Sequence, residues 1–224
     1  MTESKSRMMS VAAGFLSDGE TVLVGVGMPG QAATLAQSSH APNLVLVYES
    51  GAVGSRPAEP PLSIGDPTLF TGSLAALSLA DTFSFLIEGG RIDTAFVGAA
   101  EIDQLGNLNS TVIGPYESPK VRLPGSGGAC EIVEYARRSL VLSPLQKRRF
   151  PERVGFITSA PRADSEMVVV TDGCVLRRAP DDSELKLWRL YPGTDIADVE
   201  SVIGWPLQQA DDLRTMTEAE VGNA

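Results

Sequence analysis

Apolar residues in this chain fall into short continuous runs, divided by glycine-rich turns and by stretches with helical spacing. "TVLVGVG" (21–27) and "NLVLVYES" (43–50) are β-branched runs without polar alternation, the pattern of strands buried on both faces. Between them "GQAATLAQSS" (30–39) predicts a short amphipathic helix entered through Met28, Pro29 and Gly30. "LAALSLADTFSFLIEGG" (74–90) has apolar residues at helical spacing and stops at Gly89 and Gly90. Further strands are predicted at 92–103, in 106–114 after a loop, at 140–145 and 153–159, and over 166–178 as a hairpin around Asp172 and Gly173. Helices are predicted at 127–139 and at 194–205, the second with Thr194 as N-cap.

Strands alternating with helices imply an α/β fold: a mostly parallel sheet, helices packed on its faces, and a mixed edge late in the chain. The 224 residues suffice for a single domain spanning 1–224, with residues 1–7 and about 209–224 expected as flexible tails. Ligands of such sheets bind outside the carboxyl ends of the strands. Three glycine- and polar-rich segments follow strands there: "GVGMPG", "ESGAVG" and "GAAEIDQLGNLN".

Composition narrows the chemistry. A net charge of −10 argues against nucleic acid or an anionic membrane as partner, although it leaves room for a local basic pocket. With no leader-like start and no run of eighteen apolar residues, a cytoplasmic protein is expected. The cysteines, Cys130 and Cys174, form no Cys-x-x-Cys pair, and no metal site is expected. His40 is the only histidine and sits at a predicted helix end, so histidine-dependent nucleophilic or metal chemistry has little to work with. A carboxylate becomes the leading candidate for catalysis.

Glu49 stands where the second strand meets Ser50, Gly51 and Gly54, residues that bend sharply. Local reasoning leaves three roles open for it: a structural cap, a ribose ligand, or a reacting group. The ribose reading follows from Gly25, Gly27 and Gly30, which satisfy G-x-G-x-x-G about twenty residues before Glu49, though Pro29 removes a backbone donor from that turn. The alternative is a tight strand-to-helix turn whose amides face a ligand. "LPGSGGACE" (123–131) places Gly125, Gly127 and Gly128 before a helix, either as a flexible connection or as a cradle for a phosphate or oxyanion. Cys130 in that first turn reads as a small buried hydrophobe, or as a thiol acidified by the helix. In 98–109, Asp103 and Asn107 read as turn-forming residues, and Glu101 and Asn109 as candidate site-wall residues. Segment 55–70 is expected to border the site, with Arg56 as either a surface arginine or a partner for an anionic group of a ligand.

Taken together, "VGVGMPGQAATLAQ", "ESGAVGSRP…PLSIGDPTL", "GAAEIDQLGNLNST", "LPGSGGA" and "LYPGTDIADVESVIGW" resemble the β (B) subunit of family I coenzyme A transferases, and are similar to that of the glutaconate CoA-transferases, over about residues 8–207. The resemblance implies that Glu49 is the nucleophile, forming a covalent glutamyl-CoA thioester, and that Gly25, Gly27, Gly51, Gly125, Gly127 and Gly128 line an oxyanion-binding site. It implies Ser50, Arg56, Glu101 and Asn109 as possible contacts for substrate or CoA. Coenzyme A enters as a substrate, with no tightly bound cofactor. An α subunit is implied as partner, in an α2β2 heterotetramer, so this chain is expected to be inactive alone. A dicarboxylic or β-keto acid would suit the family. Relatives that run hydrolysis or decarboxylation depart at the nucleophile segment, which is intact here. A non-catalytic sensor of CoA esters or sugar phosphates on the same scaffold is a third reading.

Overall fold

The computed structural model describes residues 2–57 and 61–222. In chain order its elements are α1 (Glu3–Gly14), β1 (Thr21–Leu23), α2 (Met28–Ser38), β2 (Val45–Val47), β3 (Ala52–Val53), β4 (Ala75–Ala76) and α3 (Leu79–Asp81), which continues as a π-helical stretch over Thr82–Ile87. Then come β5 (Thr94–Val97), β6 (Glu101–Ile102), β7 (Leu108–Asn109), β8 (Val112–Ile113), β9 (Val121–Arg122), α4 (Ala129–Tyr135) and β10 (Arg138–Leu142). β11 (Glu166–Val170), β12 (Cys174–Arg178), β13 (Lys186–Leu190), α5 (Ile196–Val202) and β14 (Gln209–Thr215) complete the chain.

Ten strands form one sheet in the order β14-β13-β12-β11-β10-β5-β1-β2-β3-β4. Its centre, β11 to β2, is parallel. Antiparallel pairs flank it, β2-β3-β4 on one side and β11-β12-β13 on the other. The hairpin around Asp172 and Gly173 is therefore present as expected. Successive residues of each central strand serve opposite faces, so a continuous apolar run fills two cores at once. Val22, Leu46, Phe96, Leu140 and Val168 pack with α1 and α2, while Leu23, Val47, Ala95, Val141 and Val169 pack with α4 and α5.

Both segments expected as tails form ordered elements instead. α1 begins at Glu3 and buries Met8, Met9, Val11, Ala12 and Ala13. β14 pairs in parallel with β13, where Asp212 accepts hydrogen bonds from the Trp188 indole (2.9 Å) and the Arg189 guanidinium (3.1 Å). Val221 is buried. Residues 1 and 223–224 lie outside the described residues.

Three further expectations change. Residues 74–77 do not begin a helix: Leu74 and Leu77 donate amide hydrogen bonds to Val53 and Gly51, so Ala75–Ala76 becomes an edge strand beside the Glu49 turn. The apolar spacing there came from side chains that face outward, such as Leu74. Residues 153–159 make no strand and contribute only an isolated bridge from Ser159 to Leu108. The last helix is capped at Asp195, not Thr194.

Candidate active site

The parallel centre reverses its winding at β1: β2 lies on one side and β5 on the other. Such a switch point opens a crevice at the carboxyl ends of the strands. A cleft of about 590 Å³ lies there, within the range of small-molecule sites. Its walls are the end of β1 (Leu23 to Val26), Glu49 beyond β2, the end of β5 (Phe96 to Ala100) and the glycine loop ahead of α4 (Leu123 to Ala129).

Glu49 sits at the tip of the β2–β3 hairpin. Tyr48 and Ala52 pair through the Tyr48 amide (2.9 Å), the Gly51 amide closes back onto the Tyr48 carbonyl (2.9 Å), and Gly51 takes φ +98°. That backbone conformation favours glycine, and a Cβ on Gly51 would lie 1.9 Å from the Leu77 carbonyl oxygen. Gly51 thus fixes the turn that carries Glu49 and does not itself line the cleft.

The Glu49 side chain is half-buried, and no hydrogen bond or ion pair reaches its carboxylate among the described residues. Burial alone pushes its pKa above the ordinary value of 4.5. The carboxylates Glu20 and Asp103, by contrast, are tied up structurally: Glu20 pairs with Arg138 at 2.9 Å, and Asp103 accepts from the Leu105 and Asn107 amides at 3.0 Å. A desolvated, unpartnered carboxylate in a cleft costs folding energy and is poised for chemistry.

The cleft wall also carries residues whose backbone amides have no acceptor. The amides of Gly25, Val26, Gly127 and Gly128 all border the cleft, and none has a hydrogen-bond acceptor among the described residues. The loop carrying the second pair is held in place by Ser110, whose carbonyl accepts from the Gly125 amide and whose hydroxyl donates to the Gly125 carbonyl, both at 2.9 Å. Gly125 and Gly127 have positive φ, and no atom lies within 4 Å of a Cβ built on Gly25, Gly125 or Gly127, so this wall is open to a ligand. Gly27 serves differently: it is the N-cap of α2 at φ +86° and lies off the cleft wall.

The structure thus gathers Glu49, Gly25, Gly125, Gly127 and Gly128 and leaves the other candidates outside. Asn109 is a buried structural residue: its carboxamide oxygen accepts from the Thr111 amide at 3.0 Å, and its nitrogen donates to the Val112 carbonyl (2.8 Å) and to Glu101 (2.7 Å). Glu101 is engaged in that bond, off the cleft wall. Ser50 lies in the turn with its hydroxyl buried and unpartnered. Arg56 points away, its guanidinium donating to the Pro42 carbonyl at 2.8 Å. Within segment 55–70, residues 58–60 lie outside the described residues. Cys130 donates its thiol to the Thr158 carbonyl (2.7 Å), His40 is bonded to the Leu16 carbonyl (3.0 Å), and no metal-ligating group of three or more occurs among the described residues. Sequence reasoning missed Arg149, Ser110 and Ser126 in the wall; for Arg149 the available signal was the basic run Lys147-Arg148-Arg149 just beyond the carboxyl end of β10. No described helix is long and apolar enough to cross a membrane.

Comparison with known proteins decides between the readings of the glycine-rich turns. The family model for coenzyme A transferase matches residues 6–201. The chain belongs to the coenzyme A transferase family. It is 36% identical to the B-type subunit of 3-oxoadipate CoA-transferase from Pseudomonas knackmussii, over 94% of this chain and 86% of that one. The crystal structure of glutaconate coenzyme A-transferase from Acidaminococcus fermentans superposes with a TM-score of 0.84 and 27% identity, covering 97% of this chain and 89% of that chain. The decarboxylase AibA/AibB superposes equally well, at TM-score 0.84 and 26% identity over 98% of this chain and 91% of that chain. Family membership sets aside the dinucleotide reading of Gly25, Gly27 and Gly30. It leaves the reaction to be argued from the site, since one fold serves more than one chemistry.

Proposed function

We propose that this chain is the β subunit of an enzyme that moves CoA between an acyl-CoA and a free carboxylic acid, with Glu49 as covalent nucleophile. The observation that carries the proposal is the unpartnered, half-buried Glu49 carboxylate in a cleft whose wall includes the acceptor-free amides of Gly25, Val26, Gly127 and Gly128. The carboxylate attacks the thioester carbonyl, the carbon–sulfur bond breaks, and CoA leaves as thiolate with an acyl–glutamyl anhydride formed. The thiolate then attacks the glutamyl carbonyl, releasing the donor acid as carboxylate and leaving a glutamyl-CoA thioester. An acceptor carboxylate reverses both steps. No water is consumed, so the thioester's energy is conserved. Each addition places charge on a carbonyl oxygen, and the free amides at Gly25, Val26, Gly127 and Gly128 are donors of the right kind to hold it; losing one such donor costs roughly a hundredfold to a thousandfold.

A partner subunit is part of the proposal. The similar transferase chains are themselves named as B-type or beta subunits. Leu62, Leu74, Leu79 and Phe85 are largely exposed, at 93%, 78%, 61% and 63%, on the stretch that braces the Glu49 turn. A partner covering these side chains would take that apolar surface out of water. An α2β2 assembly is the expected stoichiometry. Decarboxylation, named for one structural relative, is the second reading; an intact Glu-Ser-Gly turn favours transfer.

The test is reconstitution. This chain alone should give no transfer, and the complex with its partner should show parallel-line initial-rate patterns. Intersecting patterns, acyl-CoA loss beyond one equivalent per site without an acceptor acid, or full activity from this chain alone would refute the proposal. The acid limb of kcat/KM should fall above 4.5, because the nucleophile must be ionised and burial raises its pKa. In Glu49→Asp the residual rate should keep such a limb. A flat profile down to pH 4.5 in the wild type would remove Glu49 from the nucleophile's role.

A further inference from the structure

Among the described residues only two charged side chains border the cleft, Glu49 and Arg149. Arg149 ends the 3-10 turn Lys147–Arg149 after β10, and its guanidinium is nearly unspent. One Nη donates to the Ala99 carbonyl at 3.3 Å, the Nε is buried without an acceptor, and no carboxylate pairs with it among the described residues. Other arginines spend more of their donors, although the Arg178 Nε is likewise buried without an acceptor. Arg138 is bonded to Glu20 and Thr94 at 2.9 and 3.0 Å, and Arg178 donates to the carbonyls of Ser165 and Asp182 at 3.1 and 3.2 Å.

We infer that Arg149 is the anion-recognising residue of this cleft and selects acyl acids that carry a second carboxylate. A guanidinium presents a planar fork that matches a carboxylate in two parallel hydrogen bonds. In a protein of net charge −10, an unpaired cation held beside an apolar and glycine-lined space has little reason to be there except to meet an anion. With the reacting carbonyl at Glu49, a short acyl chain keeps its distal carboxylate inside the same cleft. CoA's phosphates, at the far end of the pantetheine arm, lie farther from that carbon. The inference rests on the reading that acyl substrates occupy this cleft.

The experiment compares glutarate with butyrate as acceptors for the reconstituted complex, in wild type, Arg149→Met and Arg149→Lys. Wild type should prefer glutarate, and Arg149→Met should lower the glutarate-to-butyrate ratio of kcat/KM on the order of a hundredfold, with partial recovery in Arg149→Lys. An unchanged ratio overturns the inference, as does a rise confined to the KM for acyl-CoA, which would assign Arg149 to a CoA phosphate. Calorimetric titration with glutarate gives a readout independent of chemistry. Binding should weaken in Arg149→Met and persist in Glu49→Gln. Arg149-dependent glutarate binding in a complex that never modifies Glu49 would refute the nucleophile while leaving this inference standing; equal binding in wild type and Arg149→Met refutes the inference alone.

Discussion

Glu49→Ala, assembled with its partner subunit, should lose CoA transfer by on the order of 10⁴-fold or more, because a covalent route has no second path once its nucleophile is gone. Glu49→Asp should lose about a hundredfold: shortening the side chain by one methylene withdraws the attacking oxygen by about 1 Å, enough to spoil the approach to the thioester carbon. Glu49→Gln should be as inactive as the alanine variant yet more stable than the wild type at neutral pH. The physical reason lies in the environment of the carboxylate. Burial raises its pKa in the folded chain, so the fold favours the protonated form, and that contribution is fully present below 4.5 and lost as pH rises. At pH 7 the wild type therefore carries an unpaired, partly desolvated charge that the glutamine lacks, while at pH 4 the two should melt alike. Thermal unfolding of both variants across that range checks the sign. A glutamine variant less stable at pH 7 than at pH 4, relative to wild type, would show that the carboxylate has a partner in the fold.

The second large effect belongs to the turn beneath the glutamate. Gly51→Ala should cost about 3 kcal/mol and remove most transfer activity in the fraction that folds. Two costs coincide at this position. The residue holds φ +98°, and the new methyl would meet the Leu77 carbonyl oxygen at 1.9 Å, an acceptor already fixed by its place beside β3. Relief requires the 74–77 strand to move, and that strand holds the turn through the bond from the Leu77 amide to the Gly51 carbonyl (2.9 Å). Gly25→Ala is the matched contrast. No atom lies within 4 Å of a Cβ there, so stability should change by less than about 1 kcal/mol, whereas activity should drop because the methyl occupies the ligand's space. Unfolding midpoints and kcat/KM measured on both variants separate the two effects.

The sheet's centre was readable from sequence because its strands are buried on both faces, and an unbroken run such as Thr21 to Val26 admits few other structures. The crevice followed, since topology places ligands at the carboxyl ends of parallel strands. Glu49 could be singled out because a carboxylate at such an end, beside glycines that bend the chain, has few bland explanations. What escaped had other physical origins. β14 is an edge strand of mostly exposed residues held by backbone pairing and by Asp212, so it carries no apolar signature. Leu74 and Leu77 imitate a helix's spacing while belonging to an edge strand and its flank. Asn109 looked like a site residue because carboxamides serve ligands and tight turns alike, and only its four local hydrogen bonds distinguish the cases. Arg149 reached the cleft through a turn that no periodicity marks.

In the proposed route Glu49 forms a bond to the acyl group and then to CoA. The direct measurement is to incubate the reconstituted complex with an acyl-CoA, trap with hydroxylamine or borohydride, and locate the modification by peptide mass spectrometry. A hydroxamate or reduced product should appear on the peptide carrying Glu49, absent without acyl-CoA and absent in Glu49→Gln. An active complex that leaves Glu49 unmodified, or that carries the adduct on the partner subunit, would contradict that route.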